Sequence, residues 1–165
     1  MGCPQLAELP VNFQINALPL ASFQPLFSLS DAELSGRNMR RVIADGRPAY
    51  PCRVSLQDAS EGERLLLLPH AHHVVDTPYR AYGPIYVREA AQQATLAENQ
   101  VPDLLRTRTL SLRAYDQAGM MVSADVLPGT EVEQGIAQLL EISRTAYLHI
   151  HYAKPGCYAC RVERV

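Results

Sequence analysis

Alternation of apolar and polar residues is cleanest over 110–115 and again over 120–126, on either side of Asp116-Gln117-Ala118-Gly119. That period of two marks half-buried strands, and the glycine supplies the left-handed residue a tight loop wants. If Asp116 pairs with Met120 across a three-residue loop, Leu110, Leu112, Ala114, Val122, Ala124 and Val126 share one face. Ser111, Arg113, Tyr115, Met121, Ser123 and Asp125 then share the other. A slip of one residue would mix the two sets, so the pattern itself favours this register. The pattern then changes period. Thr130-Glu131-Val132-Glu133 has the form of a capping box, and the helix it opens lines up Val132, Ile136, Leu139 and Leu140 on one stripe.

Weaker signals fill in the rest. Residues 11–17 alternate as an opening strand, and Ser30-Asp31-Ala32-Glu33 starts a short helix that ends at Gly36. Short strands are expected over 41–44 and 52–56, around the turn-rich Asp45-Gly46-Arg47-Pro48. The unbroken apolar run 65–68 reads as a strand covered on both faces, 85–88 as another strand, and 89–98 as a helix. Strands over 146–152 and from 158 to 164 close the chain around Lys154-Pro155-Gly156. The fold expected is α+β over a single domain, 1–165: a mostly antiparallel sheet packed by one main helix and a few short ones.

Composition narrows the function classes. A 165-residue chain, 47% hydrophobic, can bury a core without disulfides or metal, and a net charge of −2 offers nucleic acid or an anionic membrane no attraction. Twelve prolines and no tryptophan fit many loops and short strands. The start lacks the basic flank and apolar run of a signal peptide. Residues 17–29 lean apolar but are interrupted by Pro19, Gln24 and Pro25 and are too short to span a bilayer. After Met1-Gly2-Cys3, Leu6 stands where a myristoylation signal needs Ser or Thr. Four cysteines without an export signal read as reduced thiols, so the expected compartment is the cytoplasm.

Candidate chemistry gathers near the end of the chain, in the run from His149 to Arg161. His149 and His151, two apart in a strand, point to one face, as in many sheet-borne zinc and iron sites. His70 or His72 could add a third ligand, although His70, His72 and His73 follow a strand and read first as a solvated loop. A two- or four-residue loop at Lys154-Pro155-Gly156 would put Tyr158 and Cys160 beside the histidines and Cys157 on the opposite face; a three- or five-residue loop reverses this. The candidate metal set is therefore His149, His151 and Cys160, for zinc or another divalent ion. Buried thiols and hydrogen-bonded histidines with purely structural roles are the stronger expectation. A redox role for Cys157-Tyr158-Ala159-Cys160 is rejected, because five residues after Cys160 cannot build the helix that activates such thiols. Cys52 reads as a buried thiol, and its neighbourhood Cys52-Arg53-Val54 echoes Cys160-Arg161-Val162 too briefly to carry weight.

Arg80, Arg88, Arg113 and Arg161 form the second candidate set, interleaved with tyrosines including Tyr158. Guanidinium forks that converge would bind a carboxylate or phosphate; dispersed, they form a salt-bridged surface with Asp125 a natural partner of Arg113. Glycine-rich phosphate loops and hydrolase motifs are absent from the sequence. Two readings follow. One is a small-molecule site, anionic in preference and with a metal optional, built from histidine, arginine and tyrosine on the sheet. The other is a non-catalytic interaction module.

Three runs carry a resemblance: Pro78-Tyr79-Arg80-Ala81-Tyr82-Gly83-Pro84-Ile85-Tyr86-Val87-Arg88-Glu89, Leu110-Ser111-Leu112-Arg113-Ala114-Tyr115-Asp116, and the stretch 149–162. With these the chain resembles a bacterial family known as domain of unknown function 1203, over nearly its whole length. The resemblance implies a small stand-alone bacterial protein and carries no activity, cofactor or catalytic residue with it.

Overall fold

The computed structural model describes residues 11–165; the Met1-Gly2-Cys3 start lies outside the described residues. Two antiparallel sheets and four helices make an α+β arrangement. The larger sheet holds β1 (Phe13–Asn16), β5 (Thr109–Tyr115), β6 (Met121–Pro128), β7 (Tyr147–Tyr152) and β8 (Tyr158–Arg164), in the order β1-β8-β7-β5-β6. The smaller holds β2 (Arg40–Ile43), β3 (Arg64–His73) and β4 (Ala81–Arg88), in chain order. Helices α1 (Gln24–Phe27), α2 (Asp31–Ser35) and α3 (Asp103–Arg106) are short, and α4 (Val132–Glu141) has ten residues. Among the described residues no helix is long and apolar enough to cross a membrane.

The stripe on α4 does what its spacing requires. Val132, Ile136, Leu139 and Leu140 are buried with Leu110, Leu112, Leu148 and Ile150 of the larger sheet. Its N-terminus differs from expectation. A 3-10 turn over Gly129–Glu131 precedes the helix, the N-cap is Glu131, and no side chain caps it, so the Thr130 box does not form. At α2 the expected box is complete: Ser30 Oγ accepts from the Glu33 amide and Glu33 accepts from the Ser30 amide. Ser30→Ala should lower stability by about 1 kcal/mol, read from urea denaturation midpoints.

The β5–β6 loop has the three residues expected, with the Asp116 amide donating to Met120 and the Gly119 amide to Asp116. Gly119 has a φ of +87° and touches Val75 so closely that a Cβ would lie 2.5 Å from Cγ1, so both conformation and space select glycine. Beyond the loop the predicted register fails. Tyr115 faces Met121, but Ala114 already faces Ser123, and Leu112 faces Asp125. One extra residue in β6 bulges out and turns the rest of the strand over, leaving Val126 62% exposed. β6 is an edge strand, so no neighbour on its outer side enforces the regular pairing.

Three other expectations change. Residues 52–56 are not a strand: single bridges at Pro51–Asp58 and Cys52–Tyr86 flank a tight turn. Residues 89–98 are irregular rather than helical, and the Ala94 amide donates to the Val54 carbonyl. The segment after Leu68 is strand rather than solvated loop. β3 runs on through Pro69, paired with Pro84, and carries His70, His72 and His73 over the larger sheet. The turn at 51–57 ties the sheets together, since Arg53 donates its amide to Tyr86 on β4 and accepts from the Leu18 amide.

Candidate functional site

On the face of the larger sheet away from α4, cross-strand pairing sets three rows. Arg113, His149 and Arg161 form one, Ser111, His151 and Tyr158 the next, and Tyr115, Tyr147 and Glu163 the third. His72 and His73 from β3 close over them. His149 is 2% exposed and His151 1%, and His73 is buried as well. Ring centres of His72 lie 5.1 Å from His151 and 6.1 Å from His149, while Tyr158 stacks on His72 at 5.3 Å. His73 sits 4.1 Å from Tyr115.

Hydrogen bonds fix two of the ring tautomers. His73 Nδ1 is 2.8 Å from the Tyr79 carbonyl, which can only accept, so Nδ1 carries the hydrogen and Nε2 accepts from the Tyr147 hydroxyl at 2.7 Å. His151 Nδ1 donates to the Gly156 carbonyl at 2.9 Å, leaving Nε2 as a lone pair. That Nε2, His149 Nδ1 and His72 Nδ1 are all buried without a hydrogen-bond partner. Burial, reinforced by the neighbouring histidines and Arg161, pushes His149 down to about 2. Burial likewise takes His151 to about 4, with Arg113 adding to it, and His72 to about 4. All three rings are neutral at pH 7, the form that ligates metal. Among the described residues, however, no group of three or more His, Cys, Asp or Glu side chains is placed to hold a metal ion.

Cys160 is a correction. Between Ile150 and His151 the β7–β8 register shifts: His151 faces Tyr158, but Ile150 faces Cys160. The extra residue, Ala159, keeps Tyr158 on the histidine face and turns Cys160 into the core, where it is 1% exposed and burial raises its thiol to about 12. The predicted arginines do not converge either. Arg113 and Arg161 flank His149, and Arg161 lies 3.9 Å over the Tyr147 ring while paired with Glu163. Arg80 is held in its own loop by Asp76 and the Val75 carbonyl, and Arg88 is paired with Glu63. Asp125 forms no pair with Arg113, because the β6 bulge puts it opposite Leu112. Cys52 is fully buried, and its sulfur accepts from the Ser55 and Arg88 amides.

A different set of residues lines the open space between the sheets. A cavity of about 720 Å³ is bounded by Pro51, Arg53, Leu67, Tyr86, Arg108, Tyr152, Lys154 and Cys157, among others. Arg53 is 1% exposed. Its Nε donates to the Tyr158 carbonyl at 2.7 Å, its Nη1 to the Pro51 carbonyl, and its Nη2 to Cys157 Sγ at 3.0 Å. Arg108 reaches in from beyond α3, held by both carboxylate oxygens of Asp58 and by the Leu104 and Pro48 carbonyls. Both guanidiniums lie 5.2 Å from the Tyr152 ring centre. The wall thus holds three cationic side chains and no carboxylate. A neighbouring cavity of about 690 Å³ shares Pro48 and Thr107 but is lined by Gln57, Asp58, Gln92, Gln93, Gln100 and Asp103, so its charge is of the opposite sign. Sequence reasoning missed Arg53, Arg108, Lys154 and Cys157 as a group, because they come from a turn, a helix end and a hairpin loop with no shared local pattern.

The family described as "Protein of unknown function (DUF1203)" matches residues 49–164. No curated protein and no solved structure matches the chain.

Proposed function

We propose, from the premise that the chain belongs to the DUF1203 family of unknown function, that the protein binds a small anionic molecule in the cavity bounded by Arg53, Arg108 and Lys154. The observation that carries this reading is the charge of the wall. Three cations line about 720 Å³, a volume in the usual range for small-molecule sites, and among the described residues only Arg108 of these has a carboxylate partner, Asp58, which lies outside the lining. The Asp58 carboxylate pairs with Arg108 from the neighbouring cavity and holds the guanidinium in place. Tyr86 and Tyr152 supply apolar surface with a polar tip, which suits a ligand with a carbon skeleton. Cys157 adds a half-buried thiol to the same wall. Arginine forks bind carboxylate and phosphate in two-pronged geometry, so mono- and dicarboxylates and phosphate esters are the ligand class.

Lys154 is the residue to change, because it is exposed and has no described ion pair. Titration calorimetry with inorganic phosphate and with succinate should show saturable binding to the native chain. Lys154→Glu should weaken it about tenfold, the effect of one reversed charge at a partly screened site. Absence of saturable binding for both probes, or equal affinity in Lys154→Glu, would overturn the reading.

A further inference from the structure

We propose that Cys157 is a nucleophilic thiol that exchanges with small disulfides bearing carboxylates, which the cations of the cavity wall hold against it. This rests on the proposed anion site and names the chemistry of what enters it. The first ground is a charge without a counterpart. Arg53 is 1% exposed and lines the cavity, and its hydrogen bonds go to the Pro51 and Tyr158 carbonyls and to Cys157 Sγ. Among the described residues no carboxylate pairs with it. A buried charge left without an opposite one is costly, and the cavity beside Arg53 is where an anion can supply it.

The second ground is the placing of the sulfur. Cys157 is half-buried on the wall of that cavity, whereas Cys52 and Cys160 are buried. Three successive carbonyls fix its backbone. Gly156 accepts from His151 Nδ1 at 2.9 Å, Cys157 from the Tyr152 amide at 2.9 Å, and Tyr158 from Arg53 Nε at 2.7 Å. The thiol is therefore held in position before any ligand arrives. Its sulfur accepts from Arg53 Nη2 at 3.0 Å, and reactive cysteines are marked by such electropositive, partly exposed surroundings. Cys157 and Cys160 stay excluded as a redox pair, because Cys160 is turned into the core. The exchange is with a sulfur from outside.

The step balances with the disulfide as its one co-reactant. The deprotonated Cys157 sulfur attacks one sulfur of R–S–S–R, and a bond forms from Sγ to that sulfur as the S–S bond breaks. The electron pair leaves on the other sulfur, which takes up the proton. The products are the mixed disulfide on Cys157, which is oxidised, and R–SH, the half that is reduced. Arg53, Arg108 and Lys154 meet the negative charge spread over the sulfurs during attack, and they hold the carboxylates of R. Tyr86 and Tyr152 cover its carbon skeleton.

Two reagents test this on the full chain: dithiobis(nitrobenzoate), a disulfide with two carboxylates, and uncharged dithiodipyridine. Absorbance follows the released thiol, and peptide mass mapping locates the adduct. The expected adduct is on Cys157, with a ratio of anionic to neutral rates about tenfold above that of free N-acetylcysteinamide. Lys154→Glu should bring that ratio down about tenfold. Succinate at about ten times its dissociation constant should slow the anionic reagent about tenfold by occupying the cavity. Cys157→Ser should lose the fast reaction; Cys3, outside the described residues, is common to both chains, so their difference isolates Cys157. Should that variant fail to fold by circular dichroism, mass mapping of the native chain decides. Saturable succinate binding with the adduct elsewhere, or with no preference for the anionic reagent, overturns this inference and leaves the anion site standing. Absence of saturable binding for both phosphate and succinate removes the site, and this inference with it.

Discussion

Lowering the pH from 7 to 4 in the presence of chelator is expected to unfold the protein or bring it close to unfolding. His149 and His151 have folded-state pKa values of about 2 and about 4, against about 6.5 in the unfolded chain. The unfolded state therefore binds more protons throughout this range, and stability falls as the pH falls below about 6.5. Each buried ring contributes a loss of about 3 kcal/mol by pH 4, and the pair about 6 kcal/mol, against a total of about 5–15 kcal/mol for a typical domain. Nothing around them offers relief. The charged or titratable groups on the same face are His72, His73, Arg113, Arg161 and three tyrosines, none of which is an anion at these pH values; the carboxylate of Glu163 in the outer row is taken by Arg161. Urea denaturation at pH 7, 6, 5 and 4 measures the slope. In His151→Phe, which keeps a flat aromatic ring and removes the titration, the slope should shrink. A stability curve flat from pH 7 to 4 would show that the rings are hydrated and the cluster open.

The second large effect concerns Gly129. Its amide donates to the Arg108 carbonyl at 2.8 Å, and a Cβ built on it would lie 1.8 Å from the Leu105 carbonyl oxygen and 2.8 Å from the Arg106 Cα. All the obstructing atoms are backbone, so the whole of α3 and the residues after it must move. Leu104 and Leu105 sit in the main core, and that movement opens it. Gly129→Ala should cost about 3 kcal/mol or more, at the upper end of overpacking substitutions. Gly83→Ala, where a Cβ meets nothing within 4 Å, should stay within about 0.5 kcal/mol and serves as the control. Because Arg108 lies two residues beyond the end of α3 and its carbonyl accepts from the Gly129 amide, succinate affinity should fall along with stability in Gly129→Ala. A variant with native melting and native affinity would mean that the approach of Gly129 to α3 is looser than described.

What the sequence disclosed and what it hid divide along a physical line. Period alone put Val132, Ile136, Leu139 and Leu140 on one stripe and His149 with His151 on one face, because each reading involves a single regular element. The α2 cap and the Asp116–Gly119 loop were legible for the same reason, being settled within four or five neighbouring residues. The errors arise where two elements meet. A bulge is a property of a pair of strands, so neither the small residues of β6 nor Tyr158-Ala159-Cys160 announces one. The apolar run 65–68 marks only the first part of β3, which continues through Pro69, facing Pro84, and that continuation delivers His72 to the cluster. The cavity was the least legible. Arg53 stands in a turn that reads as a strand, and what makes it part of a site is a sulfur and a carbonyl more than a hundred positions away.

The Ala159 bulge also has a meaning for how such chains diverge. In a regular strand pair, loss of one residue turns everything beyond it to the other face. Here, loss of Ala159 would leave Cys160 opposite Ile150 and Tyr158 opposite His151, the pairs already present, so both side chains would keep their faces. A lineage that dropped this residue would need no compensating replacement on either face. The bulge therefore works as slack in chain length: one residue can leave this stretch without re-sorting core and cluster, whereas a second deletion would turn one end of β8 over.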